Sequence, residues 1–193
     1  MAIVAPAMTT LLSGYLGANS IFGISSTLLS SAISNGFSQY AVIGVTVNTN
    51  DVGSAGAGAG LGIGINLPLP TVNAIMTSEF EAAQIRGPMK QPLISAISST
   101  LVSTMLVANI ATVNAGVGTG VGKASLISNS LISIPIMIAN FAAFTLVGVS
   151  SPVLATAVAR GIDQALLLGT GVVAITGSAT PSPATGVGIG KIF

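Results

Sequence analysis

The sequence predicts an α+β fold of three internal repeats of about sixty residues, each a helical hairpin followed by a short strand and a Gly-rich extended segment, set around a pseudo-threefold axis. Three observations predict it. Shifting the chain by 64 residues places Gly23 on Gly87, and a further 61 places Gly87 on Gly148. The same shifts align Leu16 with Phe80 and Phe141, and Leu29 with Leu93 and Leu154. Each unit then closes on a related glycine phrase: Gly60 to Gly64, Gly118 to Gly122 and Gly186 to Gly190. The repeats span 1–66, 67–127 and 128–193 and are expected to pack as one domain. Each repeat is a unit that buries its apolar face on its neighbours.

The first helical run of each unit opens near a proline. Pro6 and Pro70 are in register, whereas Pro135 falls four positions late. Met8, Leu11, Leu12, Tyr15 and Leu16 have the i, i+3, i+4, i+7, i+8 spacing of one helical face. A break follows at Gly23, Gly87 and Gly148. The second run carries the clearer stripe: Leu29, Ala32, Ile33, Gly36, Phe37 and Tyr40. Its counterparts are Leu93, Ala96, Ile97, Thr100, Leu101 and Thr104, then Leu154, Ala157, Val158, Gly161, Ile162 and Ala165. These stripes are the expected shared core. Ser151-Pro152 reads as a helix start, a capping hydroxyl followed by proline in the first turn.

Branched residues then suggest strands at Val42–Val47 and Val172–Thr176, more weakly at Leu106–Val113. From Gly56 to Ile65, glycine alternates with Ala, Leu or Ile. Period two is strand geometry, and a glycine face allows close backbone approach.

Charge is scarce. Asp, Glu, Lys and Arg make up 5% of the chain, against about 25% in ordinary soluble domains. With a mean hydropathy of +0.91, most of the surface is expected to be covered by protein or lipid. The basic residues Arg86, Lys90, Lys123, Arg160 and Lys191 are scattered and form no stripe that could displace phosphate counterions, so no nucleic-acid readout is expected. No basic residue precedes Arg86, which argues against a secretory signal at the start.

Catalytic chemistry lacks its usual parts. Cysteine and histidine are absent, which removes thiolate ligands, the commonest metal ligand and the usual general base. A phosphate loop fails on spacing: Gly122-Lys123 has Val117 where glycine is required and Ala124 where Ser or Thr is required. Glu79 and Glu81, two apart, do not face each other on a helix. With Arg86 and Lys90 they form the one charged stretch, read as facing solvent or a partner. It occurs only in the middle repeat, and is expected to break the symmetry there while the matched segments around Gly17 and Asn140 are buried. Arg160 and Asp163, three apart, are placed to pair. No enzyme activity, cofactor or metal is expected.

Nearly uncharged chains suit a subunit whose faces all meet other subunits, since obligate interfaces resemble cut cores. The opening MAIVAPAMTTLLSGYLG, the glycine phrase running into NLPLP (Asn66 to Pro70) and the terminal GVGIGKIF (Gly186 to Phe193) also carry a resemblance. They resemble virion structural proteins of contractile-tailed bacteriophages, associated with the tail and baseplate. That resemblance implies a non-enzymatic tail or baseplate component, assembled in the host cytoplasm, with other virion proteins and copies of itself as partners. Two alternatives stand beside it. Leu131 to Val149 is an uncharged, mostly apolar run of membrane-spanning length, and the GAGAG at Gly56 to Gly60 suggests a silk-like material.

Overall fold

The computed structural model describes the backbone of residues 5–21, 23–44, 46–54, 56–65, 67–107, 109–116, 119–127, 130–168, 170–177 and 184–192. Side-chain surroundings are described for residues 5–21, 23, 25–41, 67–106 and 133–166. Helices α1 (Ala5–Ala18) and α2 (Ile24–Gly44) form a first hairpin. A second is formed by α3 (Leu69–Ala82) and α4 (Lys90–Val107), and a third by α5 (Ser130–Ala143) and α6 (Ser151–Leu168). Each helix packs on the next, and α6 packs back on α1, so the six close into a ring.

The three hairpin turns share one backbone solution. At the end of α1, the Ile21 N–H donates to the Leu16 carbonyl (2.9 Å) and the Ser20 N–H to that of Gly17 (3.0 Å). Ile85 to Phe80 with Gln84 to Glu81, and Leu146 to Phe141 with Thr145 to Ala142, repeat the pattern. This is the Schellman closure, which satisfies the orphan carbonyls of a helix end. Its pivot residue must be left-handed, and Ser20, Gln84 and Thr145 have φ of 59°, 56° and 57°. The glycine break predicted from the sequence lies three residues further on. Gly23 and Gly87, at φ 120° and 127°, hold a backbone conformation that a side chain would strain.

The first helix of each hairpin buries a stripe at every fourth position. Met8, Leu12 and Leu16 are inside on α1, then Val72, Met76 and Phe80 on α3, and Ser133, Met137 and Phe141 on α5. The second helices are buried more widely, because each lies against its own hairpin partner and against the next repeat. On α6, Ala155, Ala157, Val158, Ala159, Ile162 and Ala165 are all buried. Where two helices of adjacent repeats meet, one long side chain enters a small position opposite. Leu12 fills the space beside Gly161, and Met76 the space beside Gly36. Thr100 stands in the third such place, its hydroxyl 3.3 Å from the Met137 sulfur.

The backbone after each hairpin runs as paired antiparallel strands. These are β1 (Thr46–Ser54) with β2 (Gly56–Ile65), β3 (Asn109–Gly116) with β4 (Thr119–Ile127), and β5 (Thr170–Gly177) with β6 (Ala184–Ile192). The ladder closes where β1 meets β6.

The expected α+β class is corrected by where the core lies. An α+β domain draws its core from helices and strands together. Every described core residue is helical, and among residues with described side chains there are six helices and no strand. The packed body is therefore all-helical. The described core is drawn from the helical hairpins. Local readings change with it. Val42 and Ile43 belong to the end of α2, which runs to Gly44, and Leu106 and Val107 to the end of α4. The apolar run Leu131 to Val149 is broken after Ala143 by the left-handed turn at Thr145, and no described helix is long and apolar enough to cross a membrane. Ser151 does begin α6, but its hydroxyl donates to the Leu146 carbonyl instead of accepting from the helix.

Candidate functional site

Three features of the described body stand out chemically. The first is the charged stretch of the middle repeat. Glu79 and Glu81 lie on the last turn of α3, Arg86 in the turn, and Lys90 at the start of α4. Reversal of the chain at Gln84 brings Lys90 back to Glu81, with Nζ and Oε1 3.2 Å apart. The Arg86 guanidinium donates to the Gln84 amide oxygen at 2.8 Å. Glu79 accepts from the Gln39 amide across the α2–α3 seam. Glu81, Gln84, Ile85, Arg86 and Lys90 line a shallow cleft of about 220 Å³. Glu81 and Arg86 are exposed and Glu79 and Lys90 half-buried. The matched Tyr15, Gly17 and Asn140 are half-buried and Ala142 is exposed, so the expected burial of the matched segments is corrected.

The second feature is an apolar pole where the three hairpin turns meet. Ser20 and Ile21 of the first turn, Met89 of the second, and Leu146, Val147 and Val149 of the third line one open cleft of about 570 Å³. Val149 is 100% exposed, Val147 78% and Met89 50%. The fold of the chain leaves these turn-tip side chains largely in solvent.

The third feature is a polar seam inside the body, running toward the helix ends away from the hairpin turns. Asp163 is fully buried on α6 and accepts from the Ser133 hydroxyl of α5. Ser133 Oγ lies 3.3 Å from Thr104 Oγ1 on α4. One turn away, the Asn140 amide donates to Thr100 Oγ1 at 2.9 Å, and Thr100 donates to its own Ala96 carbonyl at 2.8 Å. The expected pairing of Asp163 with Arg160 is thereby corrected: Arg160 is exposed and Asp163 is turned into the core.

The predicted core residues divide into two sets. Ala32, Ile33, Phe37, Ala96, Ile97, Leu101, Ala157, Val158 and Ile162 are buried. Leu29, Leu93 and Leu154 are half-buried and pack against the core from its margin. Sequence reasoning passed over Ser133, Asn140 and Asp163 as site members. A signal did exist for Ser133: its matched residues are Met8 and Val72, both apolar. Among the described residues no group of three or more carboxylates could hold a metal ion.

Comparison with protein-family models, with curated proteins and with solved structures finds no match to this chain.

Proposed function

We propose that this protein is a non-enzymatic structural subunit of a large assembly, and that the assembly is a bacteriophage virion, where it serves in the tail or baseplate. The observation that carries the reading is the combination of 5% charged residues with an exposed apolar pole at Met89, Val147 and Val149. A free monomer with such a surface is poorly soluble, whereas a subunit covers it with neighbours. Burial of that surface would supply about 25 cal/mol per Å² of apolar area removed from water. The assignment to a tail or baseplate rests on the resemblance of the opening, NLPLP and terminal segments, and on nothing finer.

Sedimentation of lysates in mild detergent tests the reading. A structural subunit stays with the particle fraction after detergent treatment. Recovery of the chain in micelles from host membranes would overturn it.

A further inference from the structure

The three repeats pose a problem of order. Equivalent helices have similar stripes, so a first helix of one repeat has three second helices on which it could pack, in its own chain or in another copy. Misassembly and exchange of equivalent elements are characteristic failures of repeat proteins. The other two seams carry different side chains at the matched positions. At α2–α3 the residues matched to the polar seam are Tyr40 and Val72, and at α6–α1 they are Ala165 and Met8. All four are buried. Only α4–α5 places Thr104 opposite Ser133, with Asp163 behind it, and Asn140 opposite Thr100.

We propose that the buried Thr104–Ser133–Asp163 set, with Asn140 on Thr100, fixes the order of the repeats by making α5 the one first helix that fits on α4. If α1 or α3 took that place, Met8 or Val72 would face Thr104 and leave its hydroxyl buried without the Ser133 partner. If α5 moved to α2, Ser133 would meet Tyr40 in place of Thr104. A buried polar group that loses its partner carries its full desolvation penalty, so wrong pairings are disfavoured more than the right one is favoured. Fixing register in this way is the best-attested use of buried polar groups in otherwise apolar packing. The seam thus selects among arrangements more than it stabilises one.

The chain has no cysteine, so engineered thiols report pairing without interference. Gln39 and Glu79 touch across the α2–α3 seam. Their counterparts are Ser103 on α4 and Tyr15 on α1, which come together only when α1 occupies the α4 seam. A Ser103→Cys, Tyr15→Cys chain is refolded from denaturant and treated with a short bis-maleimide. In the otherwise native background little product between these sites is expected. Adding Thr104→Val, Ser133→Val and Asp163→Val should raise it roughly tenfold, the change that corresponds to losing about one hydrogen bond of discrimination. An unchanged yield from a triple variant that keeps its helical circular dichroism overturns the proposal. Should the triple variant not fold, Thr104→Val alone decides. It preserves shape and the Ser133–Asp163 bond, and a folded single variant with no increase overturns the proposal equally.

Discussion

Leu12 occupies the space that a side chain at Gly161 would need, and this contact closes the helical ring between the first and last hairpins. An added Cβ at Gly161 would meet Leu12 Cγ at 2.8 Å, well inside contact distance. Leu12 is itself wholly buried, so it has little room to yield. At Gly36 the atom met is the Met76 sulfur, on an unbranched side chain that adapts more readily.

Leu12→Ala is accordingly expected to destabilise the fold by about 2–5 kcal/mol, the range for emptying a core leucine site. Gly161→Ala should cost about 1–3 kcal/mol through overpacking, partly offset by about 1 kcal/mol of helix propensity. Gly36→Ala should cost less than Gly161→Ala. Equilibrium denaturant titration of the three variants checks the ranking.

The helical hairpins were legible because apolar spacing on the second helices follows a simple stripe through Ile33 and Phe37 and their counterparts. The margins were not. Val42 and Ile43 favour strand locally, but the helix continues through them to Gly44. Leu29 fits the stripe yet lies at the edge of the core, because the packing of α2 is centred on Ile33 and Phe37. Asp163 was read as a surface partner of Arg160 because one stripe implies one buried face. The second helix of each repeat buries two faces, and Asp163 lies on the one the stripe does not mark. The left-handed pivots were hidden for another reason. Ser20, Gln84 and Thr145 share no residue type, and the glycines that attract attention stand three residues later.

Those pivots yield a second prediction. Left-handed backbone costs an ordinary residue roughly 1–2 kcal/mol relative to glycine, and most for a branched one. Thr145→Gly should therefore stabilise the protein by about 1 kcal/mol, raising Tm by roughly 2–4 °C for a chain of this size. Gln84→Gly should do so by less. Thermal unfolding followed by circular dichroism reads both.

Alkaline pH should expose the burial of Tyr40. Its ring is fully buried beside Phe37, with centroids 6.3 Å apart. Desolvation pushes its phenol well above the ordinary tyrosine value. The folded state therefore holds the proton more tightly than the unfolded chain. This contribution to stability is complete below about pH 10, where the unfolded phenol titrates, and is lost as pH rises toward the folded value. Tyr40→Phe should be less sensitive than the native chain when stability is compared between about pH 8 and about pH 11.

Neutralising the charged stretch separates fold from interaction. The Glu81–Lys90 pair has side chains 64% and 22% exposed, and a pair of this kind contributes only about 0–1 kcal/mol. A chain carrying Glu79→Gln, Glu81→Gln, Arg86→Gln and Lys90→Gln should keep its helical content and unfold within about 1 kcal/mol of the native chain. Its solubility, or one contact in the assembly, should weaken. Circular dichroism and sedimentation of particles measure the two effects separately.

If this chain is a building block of a particle, quantitative mass spectrometry of gradient-purified virions and of host membranes from the same lysate should find its peptides in the particle fraction, at a constant ratio to the other tail proteins and depleted from membranes. Enrichment in the membrane fraction, with none in particles, would contradict it.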